Sequence, residues 1–112
     1  FQVNWFLKDQ SGEWLWPGFG ENSRVLKWIF ERVSNEAGAR STPIGLLPQL
    51  DDFDISGLSL PKSNLEMLFQ VDIPGALQDA DELSIYLKRF GDKLPMQITE
   101  ELNFLKERLK TK

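Results

Sequence analysis

A chain of 112 residues with 41% hydrophobic and 27% charged residues has the composition of one globular domain with a modest core. Its formal net charge of −4 argues against a nucleic-acid partner, which needs a basic face to neutralise phosphates. Cysteine and histidine are absent, which excludes disulfides, thiolate nucleophiles, Cys-type zinc sites and Ser-His-Asp chemistry within the chain.

No apolar run approaches the roughly 20 residues of a membrane span, so no membrane partner is expected. The chain opens at Phe1 without a methionine, and we expect it to have been cut from a longer protein. Phe1 to Phe6, FQVNWF, is rich in strand formers and predicts a short strand. Lys8 to Gly12 has turn composition, and Trp14-Leu15-Trp16 reads as a second extended piece that Pro17-Gly18-Phe19-Gly20 breaks.

A helix is predicted next, with Asn22 or Ser23 as its cap and with Val25, Leu26, Ile29, Phe30 and Val33 on one face. Asn35 to Thr42 reads as a loop, and the proline-bracketed Ile44 to Leu47 as an edge strand or extended segment. Ser63-Asn64-Leu65-Glu66 matches a capping box and predicts a short helix through about Phe69. Asp72 and Pro74 mark the start of another helix, which buries Leu77, Ala80, Leu83, Leu87 and Phe90 and ends at Gly91. Pro95 opens the last helix, whose apolar stripe is Ile98, Leu102, Leu105 and Leu109. Its basic residues Lys106, Arg108 and Lys110 suit the negative end of a helix dipole. The class is therefore α+β: short N-terminal strands and a glycine-rich loop, then about four helices, as a fragment of a larger α/β enzyme.

Chemistry points to the N-terminal end. Phe1, Trp5, Phe6, Trp14, Trp16 and Phe19 fall within the first nineteen residues of a chain with eight Phe, four Trp and one Tyr. Flat rings on short strands and a glycine-flanked loop can form a slot for a planar ligand, or they can form a tryptophan-rich core. Gly18-Phe19-Gly20-Glu21-Asn22 precedes a helix; it is either an ordinary tight turn or a place where backbone closely approaches a ligand. No Gly-Lys-Ser/Thr follows, so it is not a Walker A loop. Asn22 either caps the helix or presents its amide, with both donors and an acceptor, to the edge of a base. Asp51, Asp52 and Asp54 lack the alternate spacing of a calcium loop and read as a solvated loop. Asp79, Asp81 and Glu82 read as an exposed helix face.

The string N-W-F-x-K-D followed by L-W-P-G-F-G-E-N-S-R-V-L-K-W resembles a stretch characteristic of GTP-dependent phosphoenolpyruvate carboxykinases. The similarity continues in Thr42 to Pro48 and, more loosely, around Leu65 to Phe69 and Leu94-Pro95, so that it covers residues 1–112 as a C-terminal segment. The resemblance implies a soluble enzyme of the cytoplasm, or of mitochondria in some members. It converts oxaloacetate and GTP to phosphoenolpyruvate, GDP and carbon dioxide in gluconeogenesis. Residues 1–22 would be the guanine-pocket segment and 23–112 its mainly helical support.

The resemblance further implies that Phe6 and Phe19 sandwich the base. Trp5 and Trp14 would line the slot, and Phe19, Gly20, Glu21 and Asn22 would form the edge that reads the base. GTP or GDP is then a substrate, and the remainder of the enzyme chain is a partner. Mn2+ and Mg2+ belong to the parent enzyme, with no metal ligands and no catalytic residues in these 112, which are expected to be inactive alone. Leu7 stands where the family commonly has arginine, and Trp14 where it usually has phenylalanine; neither removes the ring needed for stacking. Two other readings are a non-catalytic module that binds a proline-rich peptide through exposed tryptophans, and a structural domain whose aromatics are all core. The last predicts a buried Phe19.

Overall fold

The computed structural model describes Phe1 and residues 4–111. The chain is α+β and divides into two compact units. The first comprises Phe1–Ser41 and Leu46–Gln70; the second comprises Thr42–Gly45 and the stretch from Val71 onward.

The first unit starts with little regular structure. Of the predicted strand over Phe1 to Phe6, Gln2 and Val3 lie outside the described residues, and Trp5 and Phe6 sit in a turn instead. Pairing is limited to one antiparallel bridge between Lys8 and Trp14, supported by Leu15 N–H donating to the Leu7 carbonyl at 3.0 Å. The intervening turn has a local cause. Asp9 Oδ1 accepts from Ser11 N (2.8 Å), Ser11 Oγ (2.6 Å) and Glu13 N (3.0 Å), and Gly12 supplies the positive φ of 86°. Backbone bonds spent on so tight a turn leave no room for a longer ladder.

Phe19–Glu21 forms a single 3₁₀ turn that runs into helix α1, Asn22–Val33. Asn22 lies inside the helix and Glu21 occupies the cap position, with no side-chain cap bond. The capping role for Asn22 or Ser23 is therefore corrected: the 3₁₀ turn already supplies backbone partners, since Asn22 N–H donates to the Phe19 carbonyl. The predicted apolar face is also divided. Val25 and Ile29 pack against the core, while Leu26, Phe30 and Val33 are exposed, and the buried side chain is Trp28.

Strands β1 (Arg40–Thr42) and β2 (Gly45–Leu47) form a two-stranded hairpin, so the predicted loop from Asn35 to Thr42 ends three residues early, at Ala39. A 3₁₀ turn over Leu50–Asp52 and helix α2 (Lys62–Leu68) complete the unit. The capping box at Ser63 is not made: the helix begins at Lys62 after Pro61, which places Ser63 one residue inside. The core joins Trp16, Trp28, Ala37, Phe53 and Leu65. Its rings meet edge-on, Trp16 with Phe53 at 6.0 Å and Phe53 with Phe69 at 5.5 Å, an arrangement that aromatic quadrupoles favour.

The second unit is built on helices α3 (Ile73–Leu87) and α4 (Met96–Lys110), joined through a 3₁₀ stretch over Lys88–Lys93. Asp72 caps α3 as read, its Oδ1 accepting from Gly75 N at 3.1 Å, with Pro74 in the first turn. Gly91, with φ 53° and ψ −130°, breaks the helical path. Ala80, Leu102 and Leu109 are buried, but Leu83, Phe90 and Ile98 are largely exposed, against expectation. A pair of helices gives each apolar stripe a single partner, so its margins stay open. Lys106 joins them, reaching Asp81 Oδ1 and Ser84 Oγ, each at 2.7 Å. Arg108 Nε donates to the Pro43 carbonyl at 3.1 Å. No helix among the described residues is long and apolar enough to cross a membrane.

Candidate functional site

The seven residues singled out from the sequence all lie in the first unit, on the N-terminal turn and the entry to α1. Three of their rings face solvent. Phe6 is 77% exposed, Trp14 54% and Phe19 92%. A ring as apolar as phenylalanine loses roughly 1.5–3 kcal/mol of burial free energy when left in water. A reading in which every aromatic is core is thus corrected at Phe19.

Local chemistry explains how these rings are held out. The Lys8–Trp14 bridge closes the turn, and Phe6 meets Trp14 edge-on at 6.0 Å and 69°. Lys8 Nζ sits 4.2 Å from the centre of the Trp14 ring, a cation–π contact that fixes one of its faces. Trp5 does not join this pair; it tilts against Trp16 at 6.3 Å, half-buried at the edge of the core. Phe19 makes no ring–ring pair among the described residues. Gly18 before it has φ 110°, a conformation that side chains other than glycine's rarely adopt. Gly20 is exposed, with open space where a Cβ would stand.

Glu21 and Asn22 are both half-buried and both engaged. The Glu21 carboxylate is bound by Arg24 Nε, while Arg24 Nη1 also donates to the Asp54 carbonyl at 3.1 Å. Asn22 Oδ1 accepts from Trp16 Nε1 at 2.8 Å. Trp16 was read only as one of the clustered aromatics, not as a partner of Asn22, and Arg24 was not a candidate. The signal for Arg24 was its i,i+3 spacing from Glu21; Trp16 and Asn22 are six residues apart across a turn, and no local rule pairs them.

Asp54 anchors the same helix. Lys27 Nζ donates to its Oδ2 at 2.6 Å, and Ser56 donates through Oγ and N to Oδ1 at 2.6 and 2.9 Å. The Lys27 ammonium first, then the Ser56 hydrogen bonds, hold this carboxyl well below the usual carboxylate range. A depressed pKa gives stability that is complete above the ordinary aspartate value of 3.8 and lost as pH falls through the lowered one. Lys27→Met is therefore expected to move the Asp54 titration midpoint upward in a carbon-detected NMR titration. A midpoint in the usual range in the unsubstituted protein would contradict the pairing. Among the described residues no group of three or more Asp or Glu side chains is placed to hold a metal ion.

Comparison with known proteins follows the same motif. Residues 1–108 match the family described as phosphoenolpyruvate carboxykinase C-terminal P-loop domain. The chain is 49% identical over its full length to a phosphoenolpyruvate carboxykinase [GTP] of Chlamydia pneumoniae, and spans 19% of that protein. It is 48% identical over 98% of its length to the enzyme of that name from Neocallimastix frontalis, covering 18% of it, and 44% identical to that of Chlamydia abortus. The chain thus spans about a fifth of the length of these relatives. On a family match over nearly its whole length and close to half its residues shared with such enzymes, the chain belongs to the GTP-dependent phosphoenolpyruvate carboxykinase family, in its C-terminal domain.

Proposed function

We propose that this chain supplies the guanine pocket of a carboxykinase that converts oxaloacetate and GTP to phosphoenolpyruvate, GDP and carbon dioxide, a reaction of gluconeogenesis. The observation that carries the reading is Phe19: an almost fully exposed ring on a glycine-flanked turn at the mouth of a helix. Phe6 and Phe19 stack on the two faces of the base. Trp14 and Trp5 line the slot, and the run Phe19, Gly20, Glu21, Asn22 forms the edge that reads it. The remaining residues hold this segment in place.

Phosphoryl transfer needs metal ions and positioned charged groups. The 112 residues contain no histidine or cysteine, so the reaction centre falls to other parts of the enzyme, and this chain alone has no turnover. Calorimetric titration of the full-length enzyme with GDP and with ADP tests the assignment. Binding of GDP about tenfold or more tighter than ADP is expected, from one matched against one mismatched base-edge contact. Equal affinities would overturn it.

A further inference from the structure

We propose that Trp16 is a positioning residue that sets base specificity by locking the side-chain amide of Asn22 in one orientation; this rests on the guanine reading above. An asparagine amide free to turn over offers either a carbonyl or an NH2 group to a ligand. Here it is not free. Indole Nε1–H can only donate, so the atom 2.8 Å from it must be the Asn22 oxygen. Trp16 itself cannot move aside: it is 5% exposed and wedged between the rings of Trp5 and Phe53.

The other end of the amide is left over. Asn22 does not cap α1, and among the described residues nothing accepts a hydrogen bond from its Nδ2. That nitrogen is not shut away either, since among the described residues the one buried side-chain polar atom without a partner is Arg32 Nε. The site therefore presents a fixed donor one 3₁₀ turn along the chain from the exposed Phe19. At position 6 guanine carries a carbonyl oxygen, which accepts, whereas adenine carries an amino group, which donates. A locked NH2 satisfies the first and confronts the second with donor against donor. Burying that mismatch leaves two polar groups unpaired.

Trp16→Phe keeps a ring in the core and removes the N–H. In the full-length enzyme, titrated with GDP and ADP, the variant is expected to lose the preference for GDP on the order of tenfold, chiefly because ADP binds more tightly. A merely structural loss would weaken both ligands alike, and that outcome overturns the lock. Wild-type protein without a GDP preference would instead overturn the guanine reading itself. Preference retained in Trp16→Phe leaves that reading standing and overturns this one. If Trp16→Phe does not fold, exchange of the Trp16 indole proton decides, compared by NMR between wild type and Asn22→Ala. Exchange about tenfold faster in the variant is expected from loss of the acceptor; equal rates overturn the lock.

Discussion

Trp28→Ala is expected to destabilise the first unit by about 3–5 kcal/mol, the usual cost of emptying an aromatic site in a core. Domains of this size are stable by only about 5–15 kcal/mol, so the loss removes a large share of the stability and lowers the unfolding midpoint. Trp28 is 4% exposed, its Nε1–H donates to the Gly38 carbonyl at 3.3 Å, and Phe1 meets its ring edge-on. Truncation removes the packed ring and leaves that carbonyl without its donor. Phe30→Ala, two residues along the same helix, is the control. Phe30 is 73% exposed, and its loss should change stability by no more than about 0.5 kcal/mol. Urea unfolding followed by circular dichroism measures both. A cost under about 1 kcal/mol at Trp28, or a larger one at Phe30 than at Trp28, would contradict the core described here.

Phe19→Ala should behave in the opposite way. Its ring contributes almost nothing to the core, so the unfolding midpoint should not move. Stacking of a base on an aromatic ring is worth about 1–3 kcal/mol, so GDP affinity in the full-length enzyme should fall roughly 5- to 150-fold. Loss of stability with unchanged affinity would place Phe19 in the fold and not in the site.

How far these features could be read from residues depends on how local their causes are. Asp72 at the start of α3 was legible because a cap involves only neighbouring residues, and the acceptor and Gly75 lie three apart. Ala80, Leu102 and Leu109 were legible from helical spacing. Trp28 was not. Periodicity placed Phe30 and Val33 on the buried face of α1, yet the core takes Trp28, whose neighbours Ala37 and Phe53 are distant in sequence. Asn22 shows the same limit at the site. Its position before a hydrophobic run suggested a cap, but a 3₁₀ turn had already provided for the helix entry, and its oxygen goes to Trp16. The aromatic string itself was readable as a family motif. That Phe6, Trp14 and Phe19 stay exposed while Trp16 goes inside follows from the turn around Asp9 and Gly12 and from the positive φ at Gly18.

The most direct test is a nitrogen–proton NMR spectrum of this chain recorded with increasing GDP and, in parallel, ADP. Shifts are expected to concentrate on Trp5, Phe6, Trp14 and Phe19 to Asn22, at lower concentration for GDP, with α3 and α4 unchanged. Shifts confined to α3 and α4, or the same N-terminal shifts at the same ADP concentration, would contradict a guanine pocket at the entry to α1.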